Sequence, residues 1–319
     1  MRRLDDPLAE VGPPRAEGWL ERGGGHRVYW LDAGNADGLP VVLCHGGPGG
    51  EASPGYRRLC DGQLYRIVQF DQRGCGRSEP AGKLEGNSLQ ETLGDMEALR
   101  CQLGIDRWVV AGGSWGSAVA LAYAEAFPQR CLGMLLVSMW LIRKQDIDWW
   151  FKGVETVFPE LWHQFATAVP EAERGDLKRA YCRLILEGTP EEAARAATAL
   201  YLYEEGFMHF DAPFTPPDAT RGPAYGRTFA HYAAHHFFLA EGALLDGAHR
   251  VAHLPATLVT GRYDMCTPPN NAFALAQRLP LATLTIVPGA GHYPTEHALA
   301  RACVSAGRDL YRCIASATR

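Results

Sequence analysis

The sequence predicts an α/β architecture: a mostly parallel sheet with crossover helices, interrupted by a long helical insertion. Three observations predict it. Apolar strand-like runs alternate with helical patterns over the first 139 residues. Helical, aromatic-rich sequence replaces that rhythm between about residues 140 and 250, and the alternation returns at Ala256. Strands joined through helices are parallel neighbours, because a parallel pair needs a long crossover. The 319 residues can hide roughly three quarters of the unfolded surface, so a core forms without disulfide or metal.

Taken in order, residues 27–32 (RVYWLD) form a short β-like run. Residues 41–43 form another, ending at His45-Gly46-Gly47, and residues 65–70 (YRIVQF) a third, ending at Asp71. Leu89, Leu93, Met96, Leu99 and Leu103 recur at the helical period within residues 87–103. Residues 108–111 read as a buried strand, and 115–127 as a helix stopped by Pro128. Residues 132–139 are the next apolar strand. The stretches WWFKGVETVF, PEEAARAATALYLYEE and HYAAHHFFLAEGALL then read as helical. A strand at 256–261 (ATLVTG), a helix at 271–278, a strand at 284–287 and a last helix from Thr295 complete the chain. The expected division is a core of residues 1–139 and 251–319 and a helical cap of residues 140–250. An insertion on the C-terminal edge of the strands lies over the crevice where open α/β sheets bind ligands.

Composition excludes several classes. Lys and Arg total 31 against 36 Asp and Glu, a net charge of −5, so no basic surface for nucleic acid is expected. The longest uncharged apolar stretch, 132–142, is far short of the ~20 residues a bilayer requires. The N-terminal MRRLDDPLAEVG has no apolar run after its arginines and does not read as a signal peptide. Nine cysteines without a CxxC pair read as reduced thiols of a cytoplasmic protein.

The sharpest motif is Gly112-Gly113-Ser114-Trp115-Gly116, a G-x-S-x-G between a strand and a helix. That context is what a nucleophile elbow demands. Glycines are needed because the turn is tight and neighbouring segments come close. A serine hydroxyl is a weak nucleophile and needs a base, which in such a fold follows in the order Ser, acid, His. Asp264 and His292 each sit just past a predicted strand, on the same sheet edge as Ser114. His292 is the expected base, and Asp264 the residue that fixes its tautomer. A turn or helix-cap role is the plain alternative for Asp264, and a solvated loop for His292. Glu296 and Asp246 are weaker candidates for the acid. His45-Gly46-Gly47-Pro48-Gly49-Gly50 follows a strand, and its backbone N–H groups can face a developing oxyanion. Gly47 and Trp115 are the expected donors. A phosphate loop is disfavoured because no Lys-Ser/Thr follows. His45 reads as a structural hydrogen-bonding residue. The turn Asp71-Gln72-Arg73-Gly74-Cys75-Gly76-Arg77-Ser78 reads chiefly as a structural Asp–Arg network, with positioning of the oxyanion loop as the alternative. Cys75 lacks the histidine spacing of a nucleophile.

HGGPGG, FDQRGCGRS, GGSWGS followed by ALAYAEAFPQR, and the GRYD and GAGH endings together resemble the proline iminopeptidase family of α/β-hydrolases. The resemblance covers most of the core and weakens in the insertion. It implies the α/β-hydrolase fold and cleavage of an N-terminal residue, typically proline, from a small-molecule or short-peptide substrate. It implies no metal and no other cofactor. Two departures bear on specificity. The family's W-x-x-W-E, whose glutamate binds the substrate's free amine, is here Leu200-Tyr201-Leu202-Tyr203-Glu204. A second family glutamate, expected before H-Y-F, falls at Ala233. Glu204, Tyr203 and Gly46 are therefore the expected substrate contacts, with Glu205 able to stand in for Glu204. The missing carboxylate suggests a preference drifted from plain N-terminal proline, towards a bulkier aminoacyl group or an ester or amide without a free amine. An acyltransferase or esterase on a specialised metabolite, and a catalytically silent binding module, are the alternatives. A serine-directed phosphonate separates enzyme from binder. His231, His235 and His236 are expected to stack in the insertion rather than hold zinc. Trp149, Trp150, Phe151, Phe237 and Phe238 are expected in its core.

Overall fold

A computed structural model describes residues 8–210 and 221–317. The N-terminal Arg2-Arg3-Leu4-Asp5-Asp6 start lies outside the described residues. Eight strands form one sheet: β1 (Ala16–Arg22), β2 (His26–Gly34), β3 (Leu39–Cys44), β4 (Tyr65–Phe70), β5 (Trp108–Ser114), β6 (Cys131–Met139), β7 (Ala256–Gly261) and β8 (Ala282–Val287). Their spatial order is β1-β2-β4-β3-β5-β6-β7-β8. The pairs β1/β2 and β2/β4 are antiparallel and the rest parallel. The sequence reading omits β1, whose alternation of glutamate with Trp19 and Leu20 makes a poor apolar signal. It pairs with β2 through the turn at Gly23-Gly24-Gly25.

Side chains alternate across the pleat, so each inner strand feeds two cores. Val42 and Cys44 of β3 face one apolar cluster, while Val41 and Leu43 face the other. The first face is covered by α2 (Leu89–Gln102) and α3 (Trp115–Ala126). Leu89, Leu93, Met96 and Leu99 supply the stripe of α2 that the spacing predicts. Its Ser88 side chain accepts the Glu91 N–H and caps the start. The second face is covered by α11 (His297–Ala317), through Leu299, Cys303, Ala306, Leu310 and Ile314. Two short helices, α1 (Pro54–Arg57) and α10 (Asn270–Ala276), follow β3 and β7.

Between β6 and β7 the chain forms α4 (Lys144–Phe151), α5 (Pro159–Thr167), α6 (Leu177–Glu187), α7 (Pro190–Met208), α8 (Gly222–Ala234) and α9 (Ala243–Gly247). Aromatic rings hold this insertion together. Phe165 stacks between Tyr181 and Tyr203 at ring centroid distances of 4.2 and 4.0 Å. Trp150 stacks on Phe229 at 5.2 Å. Trp150, Phe151 and Phe237 are buried here, whereas Trp149 and Phe238 are half-buried at the edge. The Trp149 indole donates to the Met265 carbonyl at 2.7 Å, tying α4 to the loop after β7. Among the described residues no helix is long and apolar enough to cross a membrane.

Candidate active site

Ser114 ends β5 with φ 55° and ψ −130°, a left-handed conformation that costs a non-glycine residue of order 1–3 kcal/mol. The surrounding glycines make that turn possible. A Cβ on Gly112 would strike the Gly116 carbonyl, and one on Gly116 would strike the Cys44 carbonyl. A Cβ on Gly113 would strike the Tyr56 hydroxyl. Ser117 Oγ donates to the Ser114 carbonyl at 2.6 Å and accepts from Trp140 N–H at 3.1 Å, pinning the turn to the end of β6.

Asp264 and His292 meet in the fold although 28 residues separate them. His292 Nδ1 lies 2.9 and 3.0 Å from the two Asp264 oxygens. Both side chains are buried. Asp264 Oδ1 also accepts from the backbone N–H groups of Cys266 and Thr267 at 3.1 and 2.8 Å. The Thr267 hydroxyl stands 3.0 Å from Oδ2. Asp264 therefore shapes its own loop and orients the histidine. Burial alone would lower the His292 pKa. The charge of Asp264, with hydrogen bonds to Asp264 and the Cys266 thiol, outweighs burial and holds it well above the ordinary 6.5.

Ser114 and His292 face one cavity of 510 Å³ beneath the insertion. Ser114 Oγ makes no hydrogen bond among the described residues; such bonds often tighten only around substrate. Gly46 and Gly47 line the same cavity. The Cβ that Gly46 lacks would lie 3.5 Å from Ser114 Cβ, so this loop runs directly beside the serine. Gly47 has φ +122°, and a Cβ there would meet the nitrogens of Gly49 and Gly50 at 2.5 and 2.7 Å. Trp115 is the first residue of α3, so its N–H has no acceptor within the helix. Its indole is buried and donates to Gln72 Oε1 at 2.9 Å.

Supporting residues fix the loop. His45 Nε2 accepts from Gln72 N–H at 2.9 Å, and Nδ1 donates to the Gly46 carbonyl at 2.8 Å. Burial lowers its pKa, which suits the neutral ring this pattern needs. Asp71 accepts from Ala52 N–H at 2.6 Å and from Arg77 N–H and Nε at 3.0 and 2.9 Å. The Asp–Arg turn thus both satisfies its charges and holds the end of the glycine loop. The neighbouring Arg73 makes a buried bidentate pair with Asp95 at 2.7 and 2.8 Å. Cys75 is buried, its thiol pushed up to about 12 by burial.

The insertion closes the cavity with Tyr201, Glu204, Glu205, Met208 and Tyr225. Glu204 is buried and accepts the Tyr225 hydroxyl on Oε2. Burial raises its pKa to about 7, with the Tyr225 bond opposing and the charge of Glu205 adding to the rise. The Cys266 thiol stands 3.9 Å from Glu204 Oε1. One expectation needs correction. Tyr203 does not line the cavity: it is buried in the aromatic stack and donates its hydroxyl to the Trp150 carbonyl at 2.9 Å. One residue is 100° around a helix, so Tyr201 takes the wall position instead. Ala233, which stands where the family's second glutamate is expected, is buried and is not among the residues lining this cavity, and α8 sets Tyr225 against Glu204. Of the weaker acid candidates, Glu296 accepts from Phe210 N–H at 3.3 Å, and Asp246 lies on α9. His231 and His235 bond backbone carbonyls at 2.8 Å each. Cys266, Thr267, Tyr56 and Tyr225 were missed by sequence reasoning; only Cys266 and Thr267, two and three residues past Asp264, had a positional signal.

The family described as alpha/beta hydrolase fold matches residues 40–297. Together with the elbow and the sheet, this makes the chain an α/β-hydrolase. Its similarity to named proteins is closer. It is 36% identical over 312 residues to a probable proline iminopeptidase of Leptolyngbya boryana, covering 96% of each chain. It is 37% identical to the proline iminopeptidase of Neisseria meningitidis serogroup A, over 95% of this chain and 98% of that one. The chain therefore belongs to the proline iminopeptidase family. In fold it is also similar to the crystal structure of a Mycobacterium smegmatis proline iminopeptidase, with TM-score 0.61, 18% identity, and 95% and 100% coverage of the two chains.

Proposed function

We propose that this protein is a serine hydrolase that removes a proline-like N-terminal aminoacyl group from an amide or short peptide through an acyl-enzyme. The observation that carries this reading is one cavity that holds Ser114, an Asp264-bound His292 and a buried carboxylate, Glu204. Ser114 Oγ attacks the carbonyl carbon while His292 Nε2 takes its proton. The N–H groups of Gly47 and Trp115 receive the oxyanion, each worth about 3–4 kcal/mol in such a site. Collapse passes the proton from His292 to the departing amine, and water then attacks the ester formed on Ser114. Glu204 pairs with the ammonium of the acyl group. A buried carboxylate without a cation is costly, which favours substrates with a free amine over esters that lack one.

The names of the relatives, proline iminopeptidases, agree with this substrate class. The acyl specificity differs in detail, because Tyr201 and Tyr225 wall the cavity while Leu200 and Tyr203 are packed into the insertion. Residues 140–250 act as a cap over the core formed by 1–139 and 251–319. The nine free cysteines fit work in the reducing cytoplasm. Ser114→Ala tests the reading: turnover of prolyl arylamide falls by about 10³-fold or more while substrate binding persists. Retained kcat would overturn it.

A further inference from the structure

We propose that Arg57 and Arg77 form a binding site for one small oxyanion, a carboxylate or a phosphate, where α1 meets the turn after β4. The site lies outside the Ser114 cavity and does not depend on the hydrolase reading above. The observation that carries it is a buried guanidinium without an anion. Arg57 is 8% exposed. Its Nε is buried without a hydrogen-bond partner among the described residues. The titratable groups that act on it there are Arg77 and the Tyr29 phenol, and no carboxylate is among them. The Gln69 amide gives its Nε2 to the Ser53 carbonyl, and its buried Oε1 makes no hydrogen bond to Arg57. An ionised group taken out of water is costly unless it is paired.

Arg77 stands at the same corner. The Arg57 N–H donates to the Ser53 carbonyl at 3.3 Å, and Arg77 Nη2 donates to the carbonyl of the preceding Ala52, also at 3.3 Å. The Arg77 guanidinium lies over the Tyr29 ring, 3.8 Å from its centroid. The carboxylate that serves this corner, Asp71, is already filled. Its Oδ1 accepts from Ala52 N–H, and its Oδ2 from the N–H and Nε of Arg77. Neighbouring carboxylates are engaged elsewhere: Glu17 accepts the Tyr29 hydroxyl, Glu51 pairs with Arg221, and Glu79 pairs with Arg27. Two guanidinium groups thus share one carboxylate. Burial, and then the charge of Arg77, lower the Arg57 pKa, and a second anion offsets both. The planar guanidinium fork matches the paired oxygens of carboxylate and phosphate. Arg77 is exposed, so a small ion reaches the corner from solvent. Once bound, it ties the turn after β4 to α1, whose Gly55 and Tyr56 line the Ser114 cavity.

Thermal melts of the full chain test this. Sodium formate, as the carboxylate, and inorganic phosphate are titrated separately at constant pH and ionic strength, balanced with the sodium salt of a bulky sulfonate too large for the corner. The wild-type midpoint rises saturably, by about 3 °C or more when the oxyanion is in roughly hundredfold excess over its dissociation constant. The oxyanion that saturates at the lower concentration is the class the site is built for. Arg57→Met keeps the apolar stem without the charge and loses the saturable rise. Arg57→Lys keeps the charge without the fork and retains part of it. Salts also stabilise folded chains by exclusion from their surface, an effect that does not saturate and is equal in wild type and variants. A wild-type midpoint that neither formate nor phosphate moves beyond the bulky sulfonate overturns the proposal. So does a saturable rise of equal size in Arg57→Met.

Discussion

Asp264 has its acceptor positions filled by two backbone N–H groups, a hydroxyl and an imidazole. In the proposed mechanism this carboxylate accepts from His292 Nδ1–H, which leaves Nε2 to act as the base. The same carboxylate, against the cost of burial, raises the His292 pKa well above 6.5. In the mechanism proposed above, only the neutral ring takes the Ser114 proton. Activity is therefore lost as pH falls through the raised pKa, and grows as pH rises through it. Glu204, raised to about 7 by burial, adds in the same direction, because only its ionised form holds an ammonium. The pH profile of kcat/KM is expected to have its acid limb at about 7 or above. Glu204→Gln removes the Glu204 contribution and leaves the His292 limb in kcat. An acid limb at or below the ordinary 6.5 would contradict this electrostatic picture.

At the scale of elements, the elbow depends on close backbone contact between β3, β5 and α3. α3 begins one residue after a strained serine, and its Gly116 sits against the carbonyls of Cys44 and His45. A methyl group there has nowhere to go except by parting α3 from β3. Gly116→Ala is expected to cost about 3 kcal/mol or more, the upper range of overpacking, measured as a shift in the urea unfolding midpoint. Gly175→Ala is the matched control, since a Cβ at Gly175 has nothing within 4 Å. Surface substitutions of that kind stay within about 0.5 kcal/mol. Equal effects at the two positions would mean that the elbow is looser than its contacts imply. The glycine-rich loop after β3, the proposed oxyanion donor, is held in a comparable way from outside, by Asp71 on Ala52 and by Gln72 on His45.

Over the whole molecule, a strongly patterned core carries a weakly patterned insertion, and legibility follows that division. β3, β4, β5, β7 and β8 are β-like runs ending at the turns that carry the motifs, so most of the sheet and the candidate positions Ser114, Asp264 and His292 were legible from the elbow motif and the order of strands. β1 was not, because an edge strand with one polar face has few apolar residues to announce it. In the insertion, helical period alone does not say which side of α7 faces the cavity. Tyr203 and Tyr201 differ by two residues and point to different surroundings. Tyr225 and Glu204 meet only because α7 and α8 pack together, and no motif encodes that contact.

The central claim is that these distant segments converge to make Ser114 a nucleophile. Its most direct test is intact-mass analysis after exposure to a fluorophosphonate, followed by peptide mapping. One covalent adduct per chain is expected, on Ser114, absent from Ser114→Ala and formed far more slowly by His292→Ala. Adduct formation at another residue, or labelling that proceeds equally fast without the imidazole, would contradict the account.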